Sequence, residues 1–321
     1  MKCLNQFKTK LLLFLVSGIL FLSLGFIIIS CGTGPMLKAA DTNKGAFAID
    51  FSLSSNTDAY ILASSSNFPS IANKEFTVEA WVMPKSSSVK APIFTHADSY
   101  RGILVYLYNN VLKAKIGYGN SSGTSSTVSS GYTLSNTNTW YHTAVVLTNQ
   151  NHSGIHTACA GAESQTPHID IYVDGAFKGC GDTIKDESPD GVTHYAYDPT
   201  EVSGDGYIYK NGAFIGYMGS LIPMQVLEGS LVSFSEKFNA AIDDVRFWLT
   251  ARTATEINQC KGDLLGLISP CNIDNTILKG YWPLNEGTGT SAADISGNGI
   301  NGIVNSPADK PWSGGWTTGK F

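Results

Sequence analysis

The oxygen-rich run Asp294-Ile295-Ser296-Gly297-Asn298-Gly299 spaces Asp294, Ser296 and Asn298 two apart, the opening pattern of a loop that wraps a hard cation in oxygen ligands. Such a loop closes on a bidentate Glu, and the corresponding position here is Asn305. A turn held by Asx hydrogen bonds uses the same residues, so the loop reads either as a calcium site or as a brace. Gly119-Asn120-Ser121-Ser122-Gly123 fits the pattern of a nucleophilic serine, but that pattern has meaning on a strand-to-helix elbow, and here it opens a Ser/Thr-rich stretch that reads as a loop. His152, His156 and Cys159, with Cys180 or His168 as a fourth ligand, have the types a zinc ion takes. Their segment lacks the helical period that would gather the histidines on one face. Aromatic rings, which stack on the C–H faces of sugars, are the remaining chemistry. Trp81, Trp140, Trp248 and Trp282 lie in strand-like runs and read as core, whereas Tyr106 and Tyr108, two apart and so on one strand face, and Tyr132 read as ligand-facing.

These residues belong to a chain of 321 with a net charge of −5 and 15% charged residues. Three of its lysines, Lys2, Lys8 and Lys10, precede Leu11–Ile29, which carries no charge, so the remainder is more acidic still. That balance disfavours nucleic acid as a partner. A basic start followed by an apolar stretch of about 19 residues reads as an export signal of helical character, although the length also suits a membrane span. Ile28-Ile29-Ser30-Cys31 resembles a bacterial lipobox. The resemblance implies a signal peptide over 1–30 and lipidation of Cys31, whose acyl chains would anchor the protein to the cell envelope. Residues 31–45, rich in Gly and small polar residues, read as a flexible tether with a reach of about 20 Å.

Export also decides the cysteine reading. With Cys3 removed and Cys31 lipidated, Cys159, Cys180, Cys260 and Cys271 remain in an oxidising compartment, and the sequence-local pairing, Cys159–Cys180 and Cys260–Cys271, is the expected one.

The elements that must position these groups are strands. Apolar and polar residues alternate through 47–51, 76–83, 102–107, 111–118, 140–147, 169–173, 207–209 and 241–248. Asn109-Asn110, Asp174-Gly175 and Asn211-Gly212 supply turn residues that tolerate positive φ. A local echo, IYVDGAFKG at 171–179 and IYKNGAFIG at 208–216, reads as two similar hairpins, with an insertion over about 180–206 between them. Thr253-Ala254-Thr255-Glu256 is a capping box and predicts one short helix near 254–260. The expected fold is all-β, a two-sheet antiparallel sandwich over 46–321.

Five blocks in order, FTVEAWVMP (76–84), WYHTAVV (140–146), IYVDGAFKG (171–179), AIDDVRFWLTARTATEI (241–257) and YWPLNEGTGTSAADISGNGINGIV (281–304), resemble the LamG-like jellyroll domains of the concanavalin A-like lectin/glucanase superfamily. The resemblance implies a jellyroll in which the strand near 46–51 lies close to one near 279–283. It also implies a calcium ion as the one expected cofactor, with Asp243 or its neighbour Asp244, joined by Asp58, as a second metal candidate. Adjacent residues of a regular strand point to opposite faces, so at most one of the two aspartates would face inward.

The superfamily includes glucanases, which place two glutamates and an aspartate as Glu-x-Asp-x-x-Glu on one strand. The nearest segments, around Asp170 and Asp243, have neither glutamate. The resemblance therefore implies a non-catalytic, envelope-anchored, adhesin-like lipoprotein on the outer membrane or cell surface that binds a glycan or a glycosylated matrix protein. The alternatives are a protein-interaction or envelope-assembly module without sugar affinity and a divergent glycan-active enzyme.

Overall fold

Alternation of apolar and polar side chains gives each strand one face to bury. A computed structural model describes residues 47–53, 59–71, 74–97, 101–118, 125–148, 168–182, 186–187, 193–194, 212–216, 238–262, 265, 271, 273–305, 312 and 314–321. Contacts divide the chain into Met1–Asp41 and Thr42–Phe321. The signal segment, Cys31 and the tether lie outside the described residues, as do Asp58 and the run 207–209.

In chain order the strands are β1 (Phe47–Asp50), β2 (Tyr60–Ser64), β3 (Phe76–Pro84), β4 (Lys90–Ala97), β5 (Arg101–Tyr108) and β6 (Val111–Tyr118). There follow β7 (Ser125–Thr133), β8 (Tyr141–Thr148), β9 (His168–Val173), β10 (Ala176–Asp182) and the short pair β11 (Asp186–Glu187) and β12 (Thr193–His194). After β13 (Gly212–Ile215) and β14 (Ala240–Trp248) comes the helix α1 (Ala254–Cys260), then β15 (Leu278–Trp282), β16 (Ser291–Ala292), β17 (Gly302–Asn305) and β18 (Trp316–Thr318).

Among the described residues these strands form two large antiparallel sheets. The first has the order β10-β9-β8-β3-β14-β1-β18, with β15 also paired to β14. β1 takes the register Ile49↔Ile242 and β15 the register Val245↔Trp282, so the two follow each other along β14. The second sheet has the order β16-β17-β2-β13-β4-β5-β6-β7. The inner faces meet in one apolar core: Phe76, Val78, Val82, Val245 and Phe247 from the first sheet, and Ile61, Ile103, Val105, Ile116 and Ile215 from the second. Phe247 is its centre, with ring centroids of Phe94 at 5.4 Å and Phe68 at 5.7 Å. The fold is the expected two-sheet sandwich.

The sheets touch at one side because glycine lets them. A Cβ on Gly179 would meet the Ser129 carbonyl oxygen at 2.7 Å, and one on Gly181 would meet the Val128 side chain at 2.7 Å, so β10 lies directly on β7. Turn chemistry holds where expected: Asn109 and Asn110 have φ of 52° and 59°, Asp174 and Gly175 of 53° and 76°. Three expectations change. The Ser/Thr-rich stretch after residue 123 is not a loop from 125 onward but the edge strand β7. Gly212 opens β13 rather than sitting in a tight turn, and β13 lies between β2 and β4. Among the described residues the sequence echo forms a hairpin in its first copy, β9–β10.

The capping box forms as expected. The Thr253 hydroxyl accepts from the Glu256 N–H, and the Glu256 carboxylate accepts from the Thr253 N–H at 2.8 Å. Ile257 and Cys260 are the buried face of α1. Cys260 is bonded to Cys271 with a Cα–Cα distance of 5.3 Å, and the bridge closes a cluster of Trp248, Leu265, Leu278 and Tyr281 over the outer side of the first sheet.

Candidate functional site

Under this cover the outer face of β3 and β14 holds a cluster of charge. Glu79 receives Arg252 Nη1 at 3.2 Å and Arg246 Nη1 at 3.8 Å, with His142 Nε2 at 3.2 Å. Arg246 also grips Asp244 through Nε and Nη2 and donates to the Cys260 carbonyl at 3.0 Å. Burial pushes the Glu79 carboxyl up, but the approach of His142 and the two guanidinium groups outweigh it and hold it down at about 2. Burial opposes the charge of Arg246, and Asp244, Tyr281 and Glu79 restore it. Two carboxylates balance two guanidinium groups, and Glu79, Asp244 and Arg246 are all buried. The carboxylates are committed to arginines beneath a helix and a disulfide. Paired in this way, they brace the cover.

Asp243 and Asp244 do not take opposite faces. A bulge between Asp243 and Arg246 inserts Asp244 at φ 50°, and both carboxylates find partners on the outer side. Asp243 Oδ2 accepts from the Lys320 N–H at 2.7 Å. Burial pushes its carboxyl well above the usual range. Its companion in the second metal reading, Asp58, lies outside the described residues.

The 294–299 loop is a brace. Asp294 Oδ1 accepts from the Tyr281 and Ser296 N–H groups and Oδ2 from the Ile300 N–H, each at 2.9 Å. Ser296 Oγ donates to the Lys279 carbonyl, and Asn298 Nδ2 donates to the Leu278 carbonyl. Asp294, Ser296 and Asn298 thus tie the loop to β15. Among the described residues no three His, Cys, Asp or Glu side chains form a metal-holding group. Of the two fourth ligands in the zinc reading, Cys180 is disulfide-bonded and so not available, and His168 Nε2 lies 3.4 Å from Asp170 Oδ1. His152, His156 and Cys159, the partner expected for Cys180, lie outside the described residues, as does the 119–123 segment.

The three tyrosines separate. On the outer face of the second sheet Tyr106 is buried in a cluster with Leu104 and Phe214, so its ring is not free to stack on a sugar. Tyr108, half-buried, has Lys113 Nζ 4.9 Å and Lys90 Nζ 5.5 Å from its ring centre. Tyr132 on β7 is exposed, with Lys178 Nζ 4.4 Å over its ring. Trp81 lies beneath Lys320 and Phe321, Trp248 beneath Arg252, and Trp282 in the core, as their strand positions imply.

A groove among the described residues involves two tryptophans that alternation does not pick out. It measures about 500 Å³ and opens between the 287–290 loop and a wall made by Trp312 and residues 314–316. Trp316 pairs with Ile49 across β18 and β1, and its Nε1–H donates to the Gly289 carbonyl at 3.0 Å, fixing the ring against the loop. Trp312 stands edge-on to Phe51 with centroids 6.2 Å apart. The remaining lining is glycine and threonine. Gly289 and Gly314, at φ 75° and 100°, have open space where a Cβ would stand, so main chain is presented bare. Thr288 and Thr290 are exposed. The sequence clue was a Trp pair four apart in a Gly/Thr-rich stretch with no strand period, WSGGW at 312–316.

Residues 55–196 match the model of the family described as the concanavalin A-like lectin/glucanases superfamily. No curated protein matches the chain. Among solved structures, a carbohydrate-binding candidate from Bacteroides ovatus ATCC 8483 is similar at 19% identity, with 87% of this chain and 61% of that one covered and a TM-score of 0.49. A heptameric SAP-like pentraxin from Limulus polyphemus is similar at 15% identity, with 83% and 97% covered and a TM-score of 0.44. The binding domain of botulinum neurotoxin DC, in complex with SialylT, is similar at 10% identity, with 63% and 40% covered and a TM-score of 0.38. The chain spans less than two thirds of the Bacteroides protein. The match to that superfamily's model over 55–196 falls on a body whose described strands form two antiparallel sheets stacked on one core, the sandwich that the five sequence blocks imply.

Proposed function

We propose that the protein is a lipid-anchored, non-catalytic lipoprotein of the bacterial envelope that binds a glycan, free or carried on a matrix protein. The observation that carries the reading is the groove between Trp312, Trp316 and the 287–290 loop. It is lined by two indole side chains, bare main-chain groups and hydroxyls, the types of group by which a pyranose is held through its C–H face and its rim of hydroxyls. The buried pairing of Glu79 and Asp244 with arginines supports binding without turnover. The tether and acyl chains on Cys31 would hold the body at the membrane surface. Full-length protein in detergent, applied to a glycan array, is expected to retain at least one glycan and to lose it with Trp316→Ala. Retention of a protein partner that sugars do not compete away would instead favour an interaction module. For the anchor, a palmitate analogue is expected to label the parent and not Cys31→Ala.

A further inference from the structure

The groove says which class of glycan. None of the residues that line it carries a formal charge. The acidic neighbour at its edge, Glu286, turns its Oε1 onto the Ala293 N–H at 2.7 Å. Among the described residues, Lys85, tied to the groove wall through Asp50 and its bond to Gly315, is committed to the Asp50 carboxylate at 3.1 Å, while Lys90 and Lys113 stand around Tyr108, Lys178 over Tyr132 and Lys320 over Trp81. A carboxylate or sulfate placed in the groove would lose water without gaining a counter-charge, a cost that hydroxyl and main-chain donors offset poorly. The net charge of −5 adds a repulsive field. A neutral pyranose meets no such cost, since it exchanges water for Trp ring faces and for the threonine hydroxyls and glycine main chain of the opposite side.

On these grounds, and resting on the glycan-binding reading above, we infer that the groove selects uncharged pyranose units and discriminates against uronic, sialic and sulfated sugars. Trp316, held by its bond to Gly289, is the fixed stacking platform, and Thr288 supplies a polar contact at the loop.

The test uses full-length protein in detergent against bead-bound polysaccharides: neutral ones (starch, xyloglucan, mannan) and anionic ones (heparin, hyaluronan, polygalacturonate). Retention on at least one neutral polysaccharide is expected, changed by no more than about twofold when salt is raised until exposed charges are screened. Trp316→Ala should weaken it about tenfold, the loss of roughly one stacking contact. Trp316→Phe keeps a ring and should recover most of the binding. Thr288→Ala, in an exposed loop, should weaken it severalfold and guards against a Trp316 variant that fails to fold. Retention confined to anionic polysaccharides, and lost on Lys90→Ala with Lys113→Ala, would overturn this inference while leaving glycan binding intact. Neutral retention that is indifferent to both Trp316→Ala and Thr288→Ala would overturn the groove as the site. Retention of none would sink the glycan reading itself.

Discussion

Single buried groups carry predictable loads. Glu79 is held down from 4.5 to about 2, so its contribution to stability is complete above pH 4.5 and is lost as pH falls through about 2. Glu79→Gln leaves Arg246 and Arg252 short of a counter-charge and is expected to cost about 3–5 kcal/mol in urea unfolding. Asp243 has the opposite sign. Its carboxyl is pushed above 3.8, so stability is complete below that value and falls as pH rises through the folded value. Asp243→Asn keeps an acceptor for the Lys320 N–H. It should raise the melting temperature near neutral pH, with the gain shrinking as the pH is lowered below 3.8; a gain independent of pH would contradict the assignment. Asp294 accepts three main-chain N–H groups, and Asp294→Ala should cost about 2–3 kcal/mol. If the loop is a brace and not a calcium cage, a chelator leaves the melting temperature of the parent unchanged.

At the scale of elements, α1 and the Cys260–Cys271 bridge form one lid over the charged cluster. Opening the bridge with Cys260→Ser and Cys271→Ser together is expected to lower stability by about 2–3 kcal/mol. Removing the cap with Thr253→Ala should cost about 1 kcal/mol, read by the same unfolding curves. Both features were legible in the sequence because their signals are local: a four-residue box and two cysteines 11 apart. The strands β1, β3, β5, β6, β8, β9 and β14 were legible for the same reason, since each buries alternate apolar residues. β7 was not, because an edge strand that buries little beyond Val128 can be written in serine and threonine. β4 hides behind Pro92 at a bulge. The shared face of Asp243 and Asp244 was invisible to a period-two argument, since a bulge breaks that period. Trp312 and Trp316 escaped because their site is assembled from the 287–290 loop and a terminal edge strand, which only the completed sheet brings together.

For the molecule as a whole, two sheets bury one apolar core and leave a groove along an edge of the first. The sandwich is a rigid frame, and recognition is added where loops meet its rim. On this account the protein holds a polysaccharide and does not cut it. Affinity electrophoresis of the full-length chain through gels containing a neutral polysaccharide, with the polymer's length measured afterwards, tests this most directly. The account predicts retardation of the parent, migration of Trp316→Ala close to that in a polymer-free gel, and polymer of unchanged length. Free migration of the parent across the neutral polysaccharides, or a shortened polymer, would contradict it.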